Sequence, residues 1–436
     1  MSSISSFKAV NLHGEVDGFP DKSISHRSII LASLAVGSSK ISGLLEGSDV
    51  FNTIDCFSQL GVQINKVNGD YVVESGGFYS FSVGEDSFYM GNSGTSTRLI
   101  AGILAGIKSK ISHITGDSSL SKRPMQRIAE PLSLMGAHIV GNKLPMSIHG
   151  AGLQGINYEL NVPSAQVKSC ILLAGLFAVG QTVVVEKEFT RDHTENMLKN
   201  LGVNIAVEVS GGQKIITLNN SQKNLPAADY VIPNDFSSAS FFIAMALIVE
   251  GSEILIRNVN LNPLRTGFLK VLLEMGANIE VVSEKDLQGE SVGDLLVKSS
   301  HLVGVKVAPA LVPTMIDEFP ILSVVAAFAA GKTEFSGIGE LRHKESDRIK
   351  AITDNFKKLG VEFEETADSL TIHGVSKPLA GGVEIESFLD HRIAMAFLVM
   401  GAMCENPLRV LGIESINTSF PRFVELARKV GLDIRS

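Results

Sequence analysis

The sequence predicts a two-domain α/β protein in which each domain is built from three βα units. Three observations predict it. The chain has 436 residues, more than a single hydrophobic core usually supports. A helix-ending motif recurs six times along the chain, and six further segments are apolar on every face. Regular repetition of two helix types, with β-prone stretches between them, indicates repeated units shared between two domains.

The first helix type ends in a common motif, seen in "QLGVQI", "LMGAHI", "NLGVNI", "EMGANI", "KLGVEF" and "KVGLDI". In each copy a glycine follows an amphipathic stretch and precedes a short β-prone one. Glycine directly after a helix takes the left-handed conformation that stops the helix, so each copy predicts a helix followed by a strand. The glycines are Gly61, Gly136, Gly202, Gly276, Gly360 and Gly431.

The second helix type is apolar all round, as in "SIILASLAVG", "SCILLAGLFAVG" and "PILSVVAAFAAG", which is typical of a buried helix. Polar segments precede these helices: "DKSISHR", "GNSGTSTR", "VPSAQVK", "IPNDFSSA", "PTMIDE" and "DHRI". Their Ser, Asn and Asp residues could be ordinary N-caps. Capping does not explain Lys22, Arg27, Arg98 or Arg392, because a cation near a helix N-terminus opposes the helix dipole. These cations indicate that anions bind there.

Composition excludes several classes of protein. A net charge of −8 argues against nucleic acid as the main partner. The apolar runs are too short for a membrane span, and the N-terminus does not read as a signal peptide. Three widely spaced cysteines favour a reducing, cytoplasmic setting over a disulfide framework or a structural zinc site. We therefore expect neither membrane nor nucleic-acid partners, and no metal or other cofactor.

The segment "ELRHKESDRIKAITDNFKKLG" predicts an amphipathic helix with a core stripe that also includes Glu345, with Arg348 at its edge. The alternative is a first-turn acid with a surface ion pair. Nearby polar segments supply Asp317, Asp390, His391 and Arg392. Carboxylates among arginines are what proton transfer on an anionic substrate requires, so we favour a catalytic role.

Other motifs carry weaker signals. The glycine-rich segment "GNSGTSTR" fits neither the dinucleotide-binding pattern GxGxxG nor the P-loop pattern GxxxxGK(S/T), so it does not indicate a nucleotide cofactor. The serines beside His26 suggest a Ser–His nucleophile, but no acidic residue is placed to orient the histidine. His193 and His391 are too scattered to predict a metal site. The basic segment "LSKRPMQR" could be a solvated turn.

Taken together, "DKSISHR", "GNSGT", "GDSSLSKRPM", "PSAQVKS", "TRDHTENML", "MIDEFP", "ELRHKESDRI" and "DHRIAM" resemble the EPSP synthase family over essentially the whole chain, in its class II bacterial branch. The resemblance implies two domains, each an inside-out α/β barrel of three repeats with buried parallel helices. Residues 20–235 would form the first domain, and residues 1–19 with 236–436 the second. The active site would lie in the cleft between them, and a monomer is expected.

The resemblance also implies the reaction. The 5-hydroxyl of shikimate 3-phosphate would attack C2 of phosphoenolpyruvate while C3 is protonated, and the adduct would lose phosphate to leave an enol ether. This step belongs to aromatic amino acid biosynthesis and is the target of glyphosate in the family. Each substrate carries a carboxylate and a phosphate, so a matched set of cations and helix N-termini is needed.

Site residues follow from the resemblance position by position. For phosphoenolpyruvate it implies contacts from Lys22, Asn92, Gly94, Arg123, Arg348 and Arg392, and for shikimate 3-phosphate from Ser23, Arg27, Ser164, Ala165, Gln166, Arg191, Asp317 and Lys344. Asp317, Glu345 and Lys22 are the candidates for proton transfer. A cationic site lowers the pKa of a carboxylate, which suits Asp317 as a base.

Two departures from the family pattern are visible. Gly18, Phe19 and Pro20 precede Asp21 where many relatives have Pro-Gly, and Thr418 stands where some relatives carry a lysine.

Two rivals remain. The sister enolpyruvyl transferase acting on UDP-N-acetylglucosamine uses a cysteine in the loop that corresponds to "GDSSLSKRP", and this chain has none there. A non-catalytic anion-binding protein on the same scaffold is the other.

Overall fold

A computed structural model describes residues 2–219 and 224–435. The contacts divide the chain into two compact units. Unit A is Lys22–Ile232 with Leu287–Glu290, and unit B is Met1–Asp21, Pro233–Asp286 and Ser291–Ser436. The sequence predicts changes of domain at residues 20 and 235, and it gives no sign that 287–290 belongs to unit A. That segment is the tip of a hairpin, and its membership depends on tertiary contacts that no local pattern reveals.

The described residues form thirteen α-helices. They are α1 Lys22–Leu34, α2 Ser48–Gln59, α3 Gly94–Gly106, α4 Gln126–Leu134, α5 Ala165–Gly175, α6 His193–Asn200, α7 Phe236–Ile248, α8 Gly267–Glu274, α9 Val312–Met315, α10 Phe319–Phe328, α11 Arg348–Leu359, α12 His391–Gly401 and α13 Phe423–Lys429. Short 3₁₀ turns are Phe78–Ser80, Leu120–Lys122, Pro309–Leu311, Gly339–His343 and Ile413–Thr418.

The strands alternate with these helices along the chain. They are β1 Ser3–Ser6, β2 His13–Val16, β3 Ala35–Ser42, β4 Gln63–Val67, β5 Asp70–Gly76, β6 Gly84–Tyr89, β7 Lys110–Thr115, β8 His138–Val140, β9 Met146–His149, β10 Asn157–Glu159, β11 Gln181–Glu186, β12 Ile205–Ser210, β13 Gln213–Asn219, β14 Leu225–Pro226, β15 Tyr230–Val231, β16 Glu253–Asn260, β17 Asn278–Leu287, β18 Glu290–Lys298, β19 Gly331–Ser336, β20 Glu362–Glu365, β21 Ser369–Gly374, β22 Leu379–Gly381, β23 Glu384–Glu386, β24 Cys404–Asn406, β25 Leu408–Leu411 and β26 Ile434–Arg435.

Unit A contains three sheets of the same topology, which is the structural form of the sequence repeat. One sheet has the order β6-β7-β9-β8, a second has β10-β11-β13-β12, and the third has β14-β3-β5-β4 with β15 also on β3. In each, the first pair is parallel and the other pairs along that order are antiparallel.

Unit B repeats the plan, but two of its sheets include strands from the N-terminal segment. In the sheet β17-β18-β16-β2, β2 pairs in parallel with β16. The sheet β19-β21-β20 is formed from consecutive strands, and β22-β24 form a separate parallel pair. The last sheet, β23-β25-β1-β26, combines the two ends of the chain, since β1 lies between β25 and β26. The N-terminal strand therefore completes the sixth unit.

The apolar helices lie inside these sheets, as predicted. In unit B, α7, α10 and α12 contact one another, and each packs on strands of its own unit. In unit A, α3 contacts α1 and α5. All thirteen residues of α7 are buried, as are all ten of α10. A two-domain α/β architecture is confirmed.

The six helix-ending glycines are confirmed as left-handed residues. Gly61, Gly136, Gly202, Gly276, Gly360 and Gly431 have φ between 72° and 112°. At Gly360, the backbone N–H donates to carbonyls of the last turn of α11, which closes the helix.

Four of the buried helices begin with a side-chain N-cap. The capping residues are Ser93, Ser164, Asp235 and Asp390. Among the described residues, no single helix is both long and apolar enough to cross a membrane, although the bent pair Pro309–Met315 and Phe319–Phe328 reaches the required length together.

Candidate functional site

The predicted site residues fall into two sets, one in each unit. Unit A contains Lys22, Ser23, Arg27, Asn92, Gly94, Arg123, Ser164, Ala165, Gln166 and Arg191, and unit B contains Asp317, Lys344, Glu345, Arg348 and Arg392. Most of them lie at or just before the N-terminal end of a buried helix. The repeated helices therefore place chemically active residues at equivalent positions in successive βα repeats.

In unit A, α1 supplies the first two cations. Lys22 forms an ion pair with Asp49, at the start of α2. One turn further along, Arg27 is 4% exposed and donates through all three nitrogens: Nε to Thr194 Oγ1 at 2.8 Å, Nη2 to Ser169 Oγ at 2.9 Å, and Nη1 to the Ser23 carbonyl at 3.1 Å. These contacts fix the plane of the guanidinium group.

A second group in unit A is built on α3 and α5. Arg98, on α3, donates to the side-chain oxygen of Gln166, whose amide in turn donates to Thr95 Oγ1 at 3.0 Å. Arg123 donates to the Asn92 side-chain oxygen at 3.1 Å, and the Asn92 amide donates to Asp117 at 2.7 Å. Each predicted polar residue of this group is therefore held by a neighbour.

Gly94, the first residue of α3, lies against two of these arginines. A Cβ at Gly94 would lie 2.8 Å from Arg123 Nη1 and 3.0 Å from Arg98 Nη1. The glycine leaves the space that lets both guanidinium groups converge on the start of α3.

The remaining predicted residues of unit A lie at the starts of α5 and α6. Ser164 is the N-cap of α5 and accepts from the Val167 N–H, and Ala165 is the first residue of that helix. Arg191 is half-buried in the short segment before α6. Gln166 and Ser169 lie one turn apart on α5, so this helix contacts both the Arg98 group and the Arg27 group.

In unit B, Arg348 is the centre of a carboxylate cluster. It is fully buried and contacts Asp390 at 2.8 Å, Glu345 at 2.7 Å and Asp317 at 3.4 Å. The alternative of a surface ion pair between Glu345 and Arg348 is therefore wrong. One guanidinium group orients three carboxylates from three different chain segments.

Arg392 connects this cluster to a second buried network. Its Nη1 donates to the Asp317 carbonyl at 3.3 Å and lies 4.0 Å from Glu318. Glu318, which is fully buried, accepts from Ser237 Oγ. The Ser237 hydroxyl also accepts from Arg265, which pairs with Asp235 at 2.6 Å.

The surroundings of Arg348 lower the pKa of two groups, Asp390 and Lys344, for different reasons. Burial raises the pKa of Asp390, but the adjacent Arg348 outweighs this, and the pKa is held below its ordinary value. Burial lowers the pKa of Lys344, and the nearby carboxylates of Asp317 and Glu340 oppose that effect without reversing it. Asp390 is therefore ionised at neutral pH, and Lys344 releases its proton more readily than an exposed lysine.

The helix predicted to carry Glu345 begins later than expected. Asp347 caps α11 by accepting from the Lys350 N–H, with φ −71° and ψ 92°, and α11 starts at Arg348. Glu345 lies in the irregular segment between this cap and the 3₁₀ turn Gly339–His343. The prediction that Glu345 lies in the helix is wrong, because an Asp at the N-cap takes an extended conformation. Glu345 nevertheless contacts Arg348 from this irregular segment.

Sequence reasoning left several contact residues out of the site. Arg98 is predicted as a cation before a buried helix, but not as one of the binding residues. Asp49 and Thr194 were also left out, and Asp390 is expected beside Asp317 and Arg392 but without a role in binding or catalysis. Thr194 lies inside the quoted motif "TRDHTE", three residues after Arg191, and that position was the signal available.

The arrangement is suited to acid–base chemistry on an anion. Within the described ranges, no group of three or more His, Cys, Asp or Glu side chains could hold a metal ion. His26 is fully buried between Thr53 and Ser96, and burial lowers its pKa well below the ordinary value, with Lys22 and Arg27 adding to the effect. Arginines held in place, with carboxylates in unit B, can bind phosphates and move protons.

Comparisons with known proteins agree on one family. The model of EPSP synthase (3-phosphoshikimate 1-carboxyvinyltransferase) matches residues 8–426. A 3-phosphoshikimate 1-carboxyvinyltransferase from Thermodesulfovibrio yellowstonii is 47% identical over 425 residues, covering 96% of this chain and 97% of its own length. One from Paramagnetospirillum magneticum is 47% identical over 437 residues, covering 99% and 98%.

Solved structures give the same result. An EPSP synthase from Acinetobacter baumannii matches with a TM-score of 0.86 at 42% identity, covering 100% of this chain and 99% of that one. The enolpyruvyl transferase NikO from Streptomyces tendae matches with a TM-score of 0.79 at 14% identity, covering 99% and 98%. The second match shows a shared fold alone.

Proposed function

This chain belongs to the EPSP synthase family, and from that premise we propose that it transfers the enolpyruvyl group of phosphoenolpyruvate to the 5-hydroxyl of shikimate 3-phosphate and releases phosphate. The observation that carries the proposal is the pairing of Arg348 with Asp317, Glu345 and Asp390. It combines a buried cation with carboxylates suited to proton transfer.

The cations of unit A support the binding half of the proposal. Each substrate carries a carboxylate and a phosphate, and a phosphate monoester brings about −1.5 to −2 charges at neutral pH. Ser23, Arg27, Ser164, Ala165, Gln166 and Arg191 are proposed to bind shikimate 3-phosphate, and Lys22, Asn92, Gly94 and Arg123 to bind phosphoenolpyruvate. The fixed plane of Arg27 supports this, since a pre-oriented guanidinium group binds phosphate at low entropic cost.

Unit B supports the chemical half. Asp317 is proposed to accept the proton of the attacking 5-hydroxyl, and Glu345 to exchange a proton with C3 of phosphoenolpyruvate, with Lys22 as a further candidate. Arg348 and Arg392 are proposed to bind phosphoenolpyruvate, and Lys344 to contact the shikimate side. The contacts of Arg348 with both carboxylates support this division, because they hold two proton-transfer groups in one cluster.

The proposed setting is a cytoplasmic monomer in aromatic amino acid biosynthesis. Cys56, Cys170 and Cys404 are free and buried, which supports a reducing compartment. The location of the active site in a cleft between the domains stays a prediction.

Phosphate release from phosphoenolpyruvate tests the function. Purified protein should release phosphate only when shikimate 3-phosphate is present, and replacing it with UDP-N-acetylglucosamine should give none. Release that ignores shikimate 3-phosphate contradicts the proposal. Binding of both anions without release would instead identify a non-catalytic anion-binding protein.

A further inference from the structure

A lysine that the site assignment does not use is buried beside it in unit A. Lys168, on α5, is fully buried and contacts Glu186 at 3.0 Å and Glu195 at 2.7 Å, both of them 2% exposed or less. It also donates to the Thr190 carbonyl at 3.2 Å. Burial lowers the pKa of Lys168, but the two carboxylates outweigh this and raise it overall, so the lysine stays charged.

Three charged side chains in an apolar interior are costly, and breaking such a group is strongly destabilising. Replacing buried ion pairs with apolar side chains of similar volume is often neutral or stabilising in proteins. Stability alone therefore does not explain why Lys168 is buried with Glu186 and Glu195. The contacts between this cluster and the proposed anion-binding residues indicate its role.

Two adjacent pairs of residues join α5 to α6. Lys168 contacts Glu195, and the next residue on α5, Ser169, shares a 2.7 Å hydrogen bond with Thr194, the neighbour of Glu195. Both hydroxyls of the second pair accept hydrogen bonds from Arg27. The ion pair of Lys168 thus fixes the two elements that hold the Arg27 guanidinium group.

The same cluster anchors the segment that carries Arg191. Thr190, directly before it, is held by its carbonyl to Lys168 and by its hydroxyl to Glu186. On the other side, His193 contacts Glu290 at 2.9 Å. The backbone around Arg191 is therefore fixed at both ends by buried polar contacts.

We propose that Lys168 is a positioning residue that aligns Arg27 and Arg191 on the phosphate of shikimate 3-phosphate. The inference rests on the proposed function and adds a residue that touches neither substrate. Removing Lys168 leaves the carboxylates of Glu186 and Glu195 without their common cation, and α5 and α6 separate at this point. Because both arginines act on the same substrate, the loss falls on shikimate 3-phosphate and spares phosphoenolpyruvate.

Lys168→Met tests the proposal, with Lys110→Met as the matched control. Lys110 is 1% exposed in the same unit, pairs with Asp86 and follows the C-terminal end of α3, so the length of that helix, about 20 Å, separates it from Gly94. In Lys168→Met we expect the KM and the calorimetric Kd for shikimate 3-phosphate to rise about ten- to a hundredfold. The KM for phosphoenolpyruvate should change less than about twofold, and kcat at saturation should fall little, the pattern expected when binding of one substrate is lost. Lys110→Met should lower the thermal midpoint without this split.

Thr194→Val provides a second route if Lys168→Met does not fold. It preserves side-chain volume and removes the hydroxyl that links the ion pair to Arg27, so it should raise the same Kd in the same direction. A folded Lys168→Met or Thr194→Val protein with unchanged affinity for shikimate 3-phosphate would overturn the proposal, as would an equal rise in Lys110→Met. A failure of the proposed function would look different from a failure of the Lys168 proposal. In that case the unaltered protein itself would neither bind shikimate 3-phosphate nor release phosphate.

Discussion

The two units present arginines in contrasting surroundings. In unit A, Arg27 donates to two hydroxyls and a carbonyl, and Arg123 donates to an amide oxygen. In unit B, Arg348 contacts three carboxylates. The same type of side chain therefore performs different tasks in the two units.

The difference teaches how a repeated scaffold divides binding from chemistry. An arginine held by neutral oxygens keeps its positive charge for an incoming anion, because its partners orient it without neutralising it. An arginine among carboxylates is partly neutralised by them and also fixes the position of the acidic groups. The comparison predicts that a substitution of Arg27 mainly changes affinity, whereas substitutions of Arg348 and Glu345 also change kcat or stability.

The largest effect is expected for Glu345→Gln. This change keeps the shape and a hydrogen bond to Arg348 but removes the transferable proton, so kcat should fall about 10²- to 10⁴-fold. Steady-state kinetics and a thermal melt measure it, and the melt should change little. Asp354→Asn, a half-exposed carboxylate of α11 paired with Lys350, is the control and should retain wild-type kcat. Near-normal turnover in Glu345→Gln would remove it from the mechanism.

Replacing one arginine from each cluster sharpens the contrast. Arg348→Gln leaves buried Asp390 without its cation, which should cost about 3–5 kcal/mol of unfolding free energy. Arg27→Gln removes hydrogen bonds to neutral groups and should cost only about 1–3 kcal/mol, while the Kd for shikimate 3-phosphate rises. Urea unfolding and calorimetry on both variants provide the comparison. Equal losses of stability would show that the two environments are energetically alike.

Gly94→Ala should produce a smaller, selective effect on inhibition. The added methyl would displace the guanidinium ends of Arg123 and Arg98, at a cost of about 1–3 kcal/mol. We predict that the unaltered protein is sensitive to glyphosate and that this variant raises the inhibitory concentration about tenfold or more. Gly152→Ala is a suitable control, because a Cβ there meets nothing within 4 Å. Strong resistance in the unaltered protein would contradict the arrangement of the two arginines around Gly94.

The smallest effect concerns acid stability. Because Arg348 holds the pKa of Asp390 below its ordinary value of about 3.9, the ion pair stabilises the folded state fully above that ordinary value. The stabilisation is lost as the pH falls through the lowered, folded-state pKa. Urea unfolding between neutral pH and about pH 3 should show a decline below about pH 4 that is shallower in Asp390→Asn. Parallel curves for the two proteins would show that another group governs this range.

Local signals in the sequence were sufficient for much of the fold. Glycine after an amphipathic stretch has a direct conformational meaning, which is why Gly61, Gly360 and the others were predicted correctly. The start of α11 was predicted too early, because the apolar periodicity continues to Glu345, across Asp347. The side chain of Asp347 caps the helix, so α11 begins at Arg348. A capping residue therefore determines where a helix begins even when the apolar periodicity continues beyond it.

Non-local contacts were beyond such reasoning. Lys168 ends the polar segment "VPSAQVK", and the sequence predicts no partner for it, because Glu195 belongs to another helix. The three carboxylates around Arg348 likewise come from separate motifs. The family resemblance groups these motifs, but the distances between their side chains depend on how the separate segments pack.

The position of β1 between β25 and β26 has a consequence for biosynthesis of the chain. Unit A is formed mostly from one continuous stretch, Lys22–Ile232, so it can fold while the ribosome is still translating the C-terminal half. The sheet that contains β1 is completed much later, because Ser5 and Ser6 pair with Arg435 and Ile434, which are translated more than 400 residues afterwards. During that interval β1 is synthesised but lacks both of its partner strands, β25 and β26.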